Sequence, residues 1–382
     1  MNSKLSFIRL SNALGAGYVS LEMLSAFEDA DSIFRASSDK LVSTGAFTRI
    51  QARKVLESKE EQAEKCLLDC RKNGWDIMTF GDNDYPDYLR RISNPPAVLY
   101  IRGERALLNH QPSIGVVGTR KPVSTSIDIA REISAQLVRA GITVISGGAL
   151  GIDSAAHEGA LLAKGKTVAV LGCGLGTPYL KANEALRFEI SRSGAVISEF
   201  APFEGASRVS FPIRNRIISG LSRGVLVVEA GEKSGSIITA NYAMEQGKDV
   251  FAVPGDVVTS HYAGANRLIR LGAKAVSKAE DIIEEYAPFY PDTVGKYLAE
   301  RKQALRVKPE NPKEKPVMRR ELPVHFSQDS RRVYEFITTV PTLPGEIAVS
   351  CSLSISQAFT VLTELEIYGY ISSCAGGGYI LN

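Results

Sequence analysis

The sequence predicts an α/β protein whose core, residues 111–287, is a doubly wound parallel sheet. Short apolar runs suited to buried strands recur in this region, and each is followed by a glycine-containing turn. Helix-like segments such as SIDIAREISAQLVRAG and SIITANYAMEQG lie between them, which completes the rhythm of an open parallel sheet. Strands are expected at 114–117, 143–145, 167–171, 195–197, 225–228 and 250–253. Ligands of such sheets bind beyond the carboxyl ends of the strands.

The composition agrees with a folded chain of several domains. The 382 residues are 44% hydrophobic and 23% charged, which suits two or three globular domains. The longest apolar runs are strand-sized and the N-terminus lacks a signal-peptide core, so we expect a cytoplasmic protein without a membrane span. The five cysteines are scattered, and no His, Cys and carboxylate cluster has metal-ligand spacing. We therefore predict neither disulfides nor a metal site.

Residues 1–75 alternate helix-like apolar spacing with Gly or Ser breaks. This pattern predicts a small helical domain of SAM-like or helix-hairpin-helix type. Within it, LGAG at 14–17 resembles a tight hairpin whose backbone N–H groups can hold a phosphate, although such a turn is more often structural. Residues 76–110 are a lead-in segment to the sheet.

Residues 288–326 are predicted to form a linker to a separate domain, residues 327–382. The linker holds six of the 17 prolines among charged side chains. Its net charge is +4, compared with 0 for residues 1–110, +2 for 111–287 and −3 for 327–382. Its basic residues either contact nucleic acid or belong to a solvated tether, and the solvated tether is the commoner case. The candidates for such contacts are Arg301, Lys302, Arg306, Lys308, Lys313, Lys315, Arg319 and Arg320.

Loops compatible with phosphate binding follow the predicted strands. Each leads into or close to a helix N-terminus, where unpaired backbone N–H groups favour anions. A single such loop is weak evidence, but these loops share one edge of the sheet and carry several basic side chains. The candidate phosphate-binding residues are Gly118, Thr119, Arg120, Ser146, Gly147, Gly148, Lys181, Asn183, Arg214, Asn215, Arg216, Lys233, Ser234, Gly235 and Ser236.

No nucleotide fingerprint or catalytic constellation accompanies these loops. GVVG at 115–118 is not a G-x-G-x-x-G motif, and AGEKS at 230–234 lacks the glycines of a Walker loop. Asp153 and His157 either pair as a base and its orienter or structure the loop. We prefer the second interpretation, in which Asp153 caps its helix and His157 ties that helix to a neighbouring loop. The prediction is a protein without catalysis, cofactor or metal.

A polyanion held by arginines and helix ends fits such an edge, and single-stranded nucleic acid is the simplest candidate. Duplex DNA presents the same phosphates, so a preference for single strands has to come from groove width and base stacking. Aromatic residues that stack bases are few at this edge, and each is more often a core residue. The candidates are Tyr179, Phe200, Phe203 and Phe211.

A series of motifs then follows in order along the chain: GDNDYPDYLRRISNPPAVLYIRG, VGTR, SGGALGIDSAAHEGAL, TVAVLGCGL, NEAL, ISEF, FPIRNRIISGLS, VLVVEAGEKSGSIITANYAMEQGKDVFAVPG and GANRLIRLGA. Together they resemble the DNA-processing protein A (DprA/Smf) family over nearly the whole chain. The resemblance implies an extended Rossmann-like core and a cytoplasmic, non-enzymatic homodimer. It also implies binding and protection of single-stranded DNA and loading of the RecA recombinase on it, which serves uptake of transforming DNA in competent bacteria.

By position, the resemblance implies basic DNA contacts at Arg120 of VGTR and Lys181 of YLKAN. The phosphate cradle is completed by three further segments, 147–148, 214–216 and 234–236. Two positions depart from the family pattern, because the family often has a basic residue where this chain has Leu150 and a proline where it has Leu180. The missing charge at Leu150 puts one expected phosphate contact in doubt.

Residues 327–382 resemble the variable C-terminal winged helix of the same family. The pattern is a first helix RRVYEFITTV, the segment LPGEIAVSCS, a third helix SISQAFTVLTELEIYG and a hairpin YISSCAGGGYIL. The third helix contains no Lys or Arg between 354 and 367 and carries Glu364 and Glu366, so it would be repelled from a DNA groove. We predict a protein-contact or dimer-tuning role for this domain.

Two other classes of protein use similar sheets. Nucleoside-monophosphate phosphoribohydrolases carry a P-G-G-x-G-T-x-x-E motif with a catalytic glutamate, and the corresponding stretch GEKSGSIITA lacks that glutamate. A sensor of a small nucleotide would use the same edge, and a tight, saturable effect of a nucleotide on stability would favour it. These classes are the alternatives to a recombination mediator.

Overall fold

The structure, a computed structural model, describes residues 3–110, 112–179, 181–306, 319–374 and 377–382. The chain divides into two units, Met1–Arg306 and Val307–Asn382. The first unit contains the N-terminal helical segment together with the sheet, and the second contains the C-terminal helices. Leu180, one of the two departures from the family pattern, lies outside the described residues.

Nine strands form the sheet of the first unit: β1 (Asp76–Thr79), β2 (Val98–Gly103), β3 (Ser113–Val117), β4 (Thr143–Ser146), β5 (Thr167–Leu171), β6 (Ala195–Ser198), β7 (Gly224–Val227), β8 (Asp249–Ala252) and β9 (Lys274–Ala275). Their order is β1-β2-β6-β5-β4-β3-β7-β8-β9. Neighbours from β6 to β9 pair in parallel, whereas β1 with β2 and β2 with β6 pair antiparallel. The chain order reverses between β3 and β7, which confirms the doubly wound parallel core.

The six predicted strands are present, and each observed end lies within one residue of its predicted end. The sheet also contains three further strands, β1, β2 and β9. Strands β1 and β2 come from the segment 76–110, in which the sequence analysis assigned no strand. They form an antiparallel edge that joins β6 at the pair Tyr100 and Ser198. An antiparallel hairpin edge needs no crossover helix, so it leaves no strand, turn and helix rhythm in the sequence.

Six helices precede the sheet: α1 (Ser3–Leu14), α2 (Leu21–Ser25), α3 (Ala30–Arg35), α4 (Ser38–Ser43), α5 (Arg49–Glu57) and α6 (Glu60–Asn73). A short helix, α7 (Asp87–Arg90), separates β1 from β2. The capping box of Thr48 begins α5, and Gly74 in the left-handed conformation ends α6. The buried faces of these helices, including Ile8 and Val55, share one hydrophobic cluster with Tyr100 of β2.

The hairpin at 14–17 follows α1 directly. Gly15 and Gly17 have φ angles of 91° and 81°, a region that glycine adopts at little cost. The Gly17 N–H donates to the Glu199 carboxylate at 3.1 Å. Because this amide is bound inside the protein, it is not available to a phosphate, which favours the structural interpretation of the hairpin.

Seven helices accompany the central strands: α8 (Ser124–Arg139), α9 (Ile152–Leu162), α10 (Glu184–Ser193), α11 (Ser210–Leu221), α12 (Gly235–Glu245), α13 (Ala263–Arg270) and α14 (Glu280–Tyr286). Helices α8, α9 and α14 share a cluster with Ile114, and α11, α12 and α13 share another with Val117. Because successive strand residues point to opposite faces, both faces of the sheet are covered. Helices α8 and α9 meet at Gly159, where a Cβ would lie 2.1 Å from the Arg131 carbonyl oxygen.

The first half of the predicted linker is folded onto the first unit. A π-helical turn, Pro291–Gly295, leads into α15 (Lys296–Arg306). Val294 is buried in the cluster of the α8 face, and the Arg301 guanidinium lies 2.6 Å from the Glu280 carboxylate. These contacts resemble those of a core helix more than those of a solvated tether. Residues 307–318, including Lys308, Lys313 and Lys315, lie outside the described residues.

The described residues of the second unit, 319–374 and 377–382, form three helices and a hairpin: α16 (Gln328–Phe336), α17 (Pro344–Ser350), α18 (Ile355–Ile367), β10 (Ile371–Ser373) and β11 (Tyr379–Leu381). Val333, Ile347, Leu362 and Leu381 are buried together in its core. Helices followed by a two-stranded wing match the predicted winged helix. Across the described ranges, no individual helix has the length and hydropathy to cross a membrane, and α17 with α18 passes that test only as a pair bent by 109°.

Candidate functional site

The predicted loops converge where the chain order of the sheet reverses, at the carboxyl ends of β3 and β7. A pocket of about 310 Å³ opens there between the loop after β3, the loop before α9 and the first turns of α11 and α12. The candidate phosphate-binding residues that line it are Gly118, Thr119, Arg120, Arg214, Asn215, Ser234, Gly235 and Ser236. Asp153 lines it as well. We call this the switch-point pocket, and its position is the one at which open α/β sheets bind ligands.

Arg120 is the exposed cation of this pocket. Its guanidinium lies 4.7 Å from the centre of the Phe211 ring, and the Phe211 ring lies 5.5 Å from that of Tyr179. A guanidinium over an aromatic face is held by the ring quadrupole and keeps its outer N–H groups for an anion. The three side chains form a row that offers both a positive charge and π-faces, which we call the Arg120 row.

The loop that carries Arg120 is fixed by close backbone contacts. The Thr119 N–H donates to the Glu229 carbonyl oxygen at 2.8 Å, and the Ile152 N–H donates to the Thr119 carbonyl oxygen at 3.2 Å. A Cβ at Gly118 would lie 2.5 Å from Ile152 Cγ1. Glycine is therefore required at 118 for α9 to approach the end of β3 this closely.

The other two aromatic candidates do not belong to this row. Phe200 is buried, so it is a core residue. Phe203 is 55% exposed, but its ring pairs with Trp75 at 6.0 Å and does not line the switch-point pocket.

The N-terminus of α12 forms the opposite wall of the pocket. Ser234 is its N-cap, and its hydroxyl accepts from the Ser236 N–H at 3.4 Å and contacts the Ser236 hydroxyl at 2.8 Å. The first turn of a helix presents N–H groups without intrahelical partners, which favour an anion. Asn215 holds this turn, because its Nδ2 donates to the Gly235 carbonyl oxygen at 3.1 Å. Lys233 is exposed on the same loop outside the pocket lining.

Beneath the pocket, Asp153 and Arg214 hold the glycine loop after β4. The Asp153 carboxylate accepts from the N–H groups of Gly147 at 3.1 Å and Ala149 at 3.4 Å. Arg214 Nη1 donates to the carbonyl oxygens of Gly147, at 2.6 Å, and Val170. Burial raises the pKa of Asp153 and lowers that of Arg214, and each charge opposes the shift of the other.

This arrangement corrects the predicted role of Asp153 and limits that of Arg214. The N-cap of α9 is Gly151, which has no side-chain cap, so Asp153 holds the preceding loop instead of capping its helix. A Cβ at Gly147 would lie 2.2 Å from Arg214 Nη1. The guanidinium is thus packed against the loop backbone, and its hydrogen-bonded Nη1 is committed to the protein rather than to a phosphate.

Two further candidates shape the same loop rather than face a ligand. The buried Ser146 hydroxyl donates to the Val116 carbonyl oxygen at 2.6 Å, and the buried Asn183 Nδ2 donates to the Gly148 carbonyl oxygen at 3.1 Å. Lys181 is exposed on the short 3-10 turn that ends in Asn183, outside the pocket lining. The structure therefore anchors the turn of Lys181 to the loop of Gly148 and leaves the ammonium group in solvent.

Arg216 does not belong to the phosphate cradle. Its side chain is 6% exposed and its Nη2 lies 2.7 Å from the Glu199 carboxylate, whose side chain is 1% exposed. Because the guanidinium is buried and paired with a carboxylate, we expect Arg216 to stabilise the fold rather than to contact a phosphate. The motif FPIRNRIISGLS does not reveal that Arg216 is buried, because neighbouring positions on a helix face different directions and the motif does not show which direction is solvent.

His157 ties α9 to a strand rather than to a loop. Its Nδ1 contacts the Thr167 hydroxyl at 2.7 Å, and that hydroxyl donates to the Val144 carbonyl oxygen at 2.8 Å. His157 therefore donates from Nδ1 and does not serve as a base oriented by Asp153. Burial, followed by the charge of Arg214, lowers the pKa of His157 to about 3.

This buried histidine predicts a loss of stability in acid. An unfolded histidine binds a proton near pH 6.5 and the folded one near pH 3, so lowering the pH through 6.5 favours the unfolded state. From pH 7.5 to 5.5 we expect His157 to remove about 1.4 kcal/mol from the free energy of unfolding. Urea unfolding at the two pH values measures it. In His157→Asn, whose amide can still donate to Thr167, the part of the acid-induced loss of unfolding free energy that comes from His157 should vanish. If wild type and variant lose equal stability between the two pH values, His157 is not the group responsible.

Two buried glutamates near the strand ends were not among the candidates, and one of them, Glu229, holds the loop that follows β3. Glu199 directly follows β6, and Glu229 comes two residues after β7. Both are buried, and Glu229 accepts from the Val123 N–H at 3.0 Å. A glutamate beside the carboxyl end of an apolar strand is the pattern in the sequence that identifies such residues. Among the residues with described positions, no group of three His, Cys, Asp or Glu side chains is arranged to hold a metal ion.

The third helix of the winged unit has its acidic side chains bound within the unit. Glu364 accepts from the Ser330 hydroxyl at 2.6 Å, and Glu366 accepts from the Ser373 N–H at 3.0 Å. These contacts give both carboxylates a structural role.

A doubly wound sheet with an anion-compatible pocket at its switch point makes this protein a Rossmann-like α/β protein with a ligand site at the sheet edge. A model of the family described as DNA recombination-mediator protein A matches residues 76–287, and one described as DprA winged helix domain matches residues 311–377. Protein Smf from Synechocystis sp. is 32% identical over 400 aligned residues, covering 97% of this chain and 96% of the relative. The chain belongs to the DNA recombination-mediator protein A (DprA/Smf) family, whose members have a DNA-processing role.

Solved structures agree with this assignment. The crystal structure of DNA processing protein A from Streptococcus pneumoniae has a TM-score of 0.62 and 33% identity, covering 72% of this chain and 96% of the other. The structure of DNA processing protein A from Helicobacter pylori, which describes that protein's mode of single-stranded DNA binding, has a TM-score of 0.52 and 28% identity. It covers 56% of this chain and 97% of the other.

Proposed function

We propose that this protein is a cytoplasmic, non-enzymatic recombination mediator that binds single-stranded DNA in the switch-point pocket. The observation that carries the proposal is the Arg120 row, in which an exposed guanidinium lies 4.7 Å from the Phe211 ring at the rim of a pocket walled by the N-terminus of α12. A phosphate is attracted by the guanidinium and by the helix N–H groups. The relative from Helicobacter pylori, described by its single-stranded DNA binding mode, supports the same choice of ligand.

The aromatic members of the row favour a single strand over a duplex. Tyr179 and Phe211 are half-buried, so each presents part of its ring, Phe211 beside Arg120 and Tyr179 beside Phe211. Bases of a single strand are free to stack on such rings, and each stacked base contributes about 1–3 kcal/mol. Duplex bases are already paired and stacked, so they offer the pocket only their phosphates.

The wider role that we propose is protection of incoming single strands and loading of RecA on them during natural transformation. Membership of the DprA/Smf family supports this role, as do the motifs that run through the whole core. We further propose that the protein acts as a homodimer and that the acidic winged unit contacts protein rather than DNA. The domain limits 1–75, 76–110, 111–287, 288–326 and 327–382 remain our proposed organisation, with residues 291–306 of the fourth segment packed against the first unit.

The direct test is fluorescence anisotropy of one labelled oligonucleotide, first single-stranded and then annealed to its complement, at several salt concentrations. We expect single strands to bind at least about tenfold more tightly, because one stacked base is worth about one factor of ten. The binding constant should fall steeply with salt, since each neutralised phosphate releases counterions. Equal binding of both forms, or saturable stabilisation by a mononucleotide without strand binding, would favour the small-nucleotide sensor.

RecA loading is tested on the same oligonucleotide by following RecA assembly with and without the protein. We expect faster assembly in its presence and no acceleration by a variant that cannot bind the strand. An unchanged assembly rate would leave a DNA-binding protein and remove the mediator role.

A further inference from the structure

A second polar pocket, of about 270 Å³, lies at the opposite edge of the sheet. Arg223 directly precedes β7 and Lys248 directly precedes β8, and these strands are parallel neighbours. Their amino ends therefore lie side by side, away from the carboxyl ends that form the switch-point pocket. The side chains that matter here are Tyr88, Arg91, Arg223, Gln246, Lys248 and Asp249, and we call their pocket the amino-edge pocket.

The lining of the amino-edge pocket has more cationic than anionic side chains. Arg91, Arg223 and Lys248 line it, and none of the three forms an ion pair within 4.0 Å of any carboxylate that the structure describes. Asp249 is the carboxylate of the lining, and it accepts from the Tyr286 hydroxyl at 2.7 Å. The lining thus has three cations and one anion, with that anion already hydrogen-bonded.

An aromatic ring holds two of these cations in place. Arg223 lies 5.3 Å and Lys248 4.2 Å from the centre of the Tyr88 ring, and Arg223 Nη1 donates to the Tyr88 hydroxyl at 2.8 Å. A neutral phenol orients cations but does not neutralise them. Arg223 Nε is buried without a hydrogen-bond partner in the described part of the chain, a costly state for a charged donor.

The surroundings of Lys248 disfavour its charged form in the free protein. Burial, together with the charges of Arg223 and Arg91, lowers the pKa of Lys248 to about 8, and Asp249 opposes the shift. The ammonium group is therefore destabilised by its surroundings. A bound anion would remove this repulsion and raise the pKa of Lys248.

We propose that the amino-edge pocket binds a phosphate-bearing anion. Arginine forks pair with phosphate oxygens in a bidentate manner, and a lysine adds a point charge, so the three cations match a group of two to three negative charges. The volume of about 270 Å³ accommodates a group larger than one phosphate. This site is separate from the switch-point pocket, and the proposal goes beyond single-strand binding there.

Two sources offer this chemistry: a free phosphate compound or the backbone of a nucleic acid. Inorganic pyrophosphate is the probe for the shared chemistry, because it has no base and no sugar. Displacement of pyrophosphate by a short oligonucleotide would identify the strand backbone as the source. Displacement by a mononucleotide and not by the oligonucleotide would identify a free phosphate compound.

The test is isothermal titration calorimetry of the full chain with pyrophosphate at pH 7, with thermal unfolding as a second readout. We expect saturable binding and a rise in the unfolding temperature. Lys248→Gln and the exposed Arg91→Gln should each weaken binding at least about tenfold, a change equivalent to about 1.4 kcal/mol. Lys72→Gln, a matched change at an exposed position outside the pocket, should leave the affinity unchanged.

Arg120→Ala separates this proposal from the proposed function. That variant should keep the pyrophosphate binding that Lys248→Gln and Arg91→Gln weaken, even though its single-strand binding is weakened by at least about tenfold. Wild-type affinity should also fall as the pH rises above about 8, where Lys248 loses its proton. Absence of pyrophosphate binding, or equal affinity in Lys248→Gln, Arg91→Gln and Lys72→Gln, would overturn the proposal.

Discussion

Arg120→Ala is expected to weaken binding of single-stranded DNA by at least about tenfold, the equivalent of about 1.4 kcal/mol. The guanidinium is the exposed cation of the switch-point pocket and lies 4.7 Å from the Phe211 ring. Its removal deletes a phosphate contact and a cation–π contact together. Fluorescence anisotropy at several salt concentrations should show a smaller salt slope, by about one phosphate contact.

Two matched variants sharpen this result. Lys121→Ala removes the neighbouring exposed cation, which does not line the pocket, and should change the affinity much less. Arg120→Lys keeps the charge and loses the planar fork, so its affinity should fall between wild type and Arg120→Ala. Equal affinities of Arg120→Ala and Lys121→Ala would refute the role of the Arg120 row.

Lys181→Ala should also weaken binding of single-stranded DNA, because the Lys181 ammonium group is exposed on the turn anchored to Gly148.

Arg216→Met should lower the free energy of unfolding by about 3–5 kcal/mol, because it leaves the Glu199 carboxylate buried without its cation. The two side chains are 6% and 1% exposed and lie 2.7 Å apart. The Gly17 N–H, 3.1 Å from the same carboxylate, remains as a hydrogen bond but supplies no full charge. Urea unfolding followed by circular dichroism measures the loss.

The double variant Arg216→Met with Glu199→Gln provides the control. It removes both charges, so much of the lost stability should return. Folded Arg216→Met protein, assayed at low temperature, should bind single-stranded DNA with nearly wild-type affinity. A stable Arg216→Met protein that no longer binds the strand would instead restore Arg216 to the phosphate cradle.

The fold of the core was readable from local patterns because each parallel strand is a short apolar run followed by glycine and a helix. Strands β3 to β8 were predicted to within one residue at each end. Strands β1 and β2 were missed, since an antiparallel pair needs no long crossover helix and α7 between them has only 4 residues. Strand β9 was missed because it has only 2 residues. Helix α15 was missed for another reason: prolines and charges are typical of a tether, whereas Val294 and Arg301 gain their partners only from distant residues.

For the site, residue type and loop position in the sequence predicted which segments meet. The role of each side chain within those segments depends on contacts with distant parts of the chain. Glycine after each strand, basic residues nearby and the N-cap at Ser234 are local features, so the sequence predicted which loops lie together at the switch point, and anion binding there stays a prediction. Whether an arginine is free depends on what packs against it. Arg120 lies on an aromatic ring at the surface, whereas Arg216 reaches a buried carboxylate 17 residues away. That difference is a matter of burial and charge pairing, which exist only once the chain has folded.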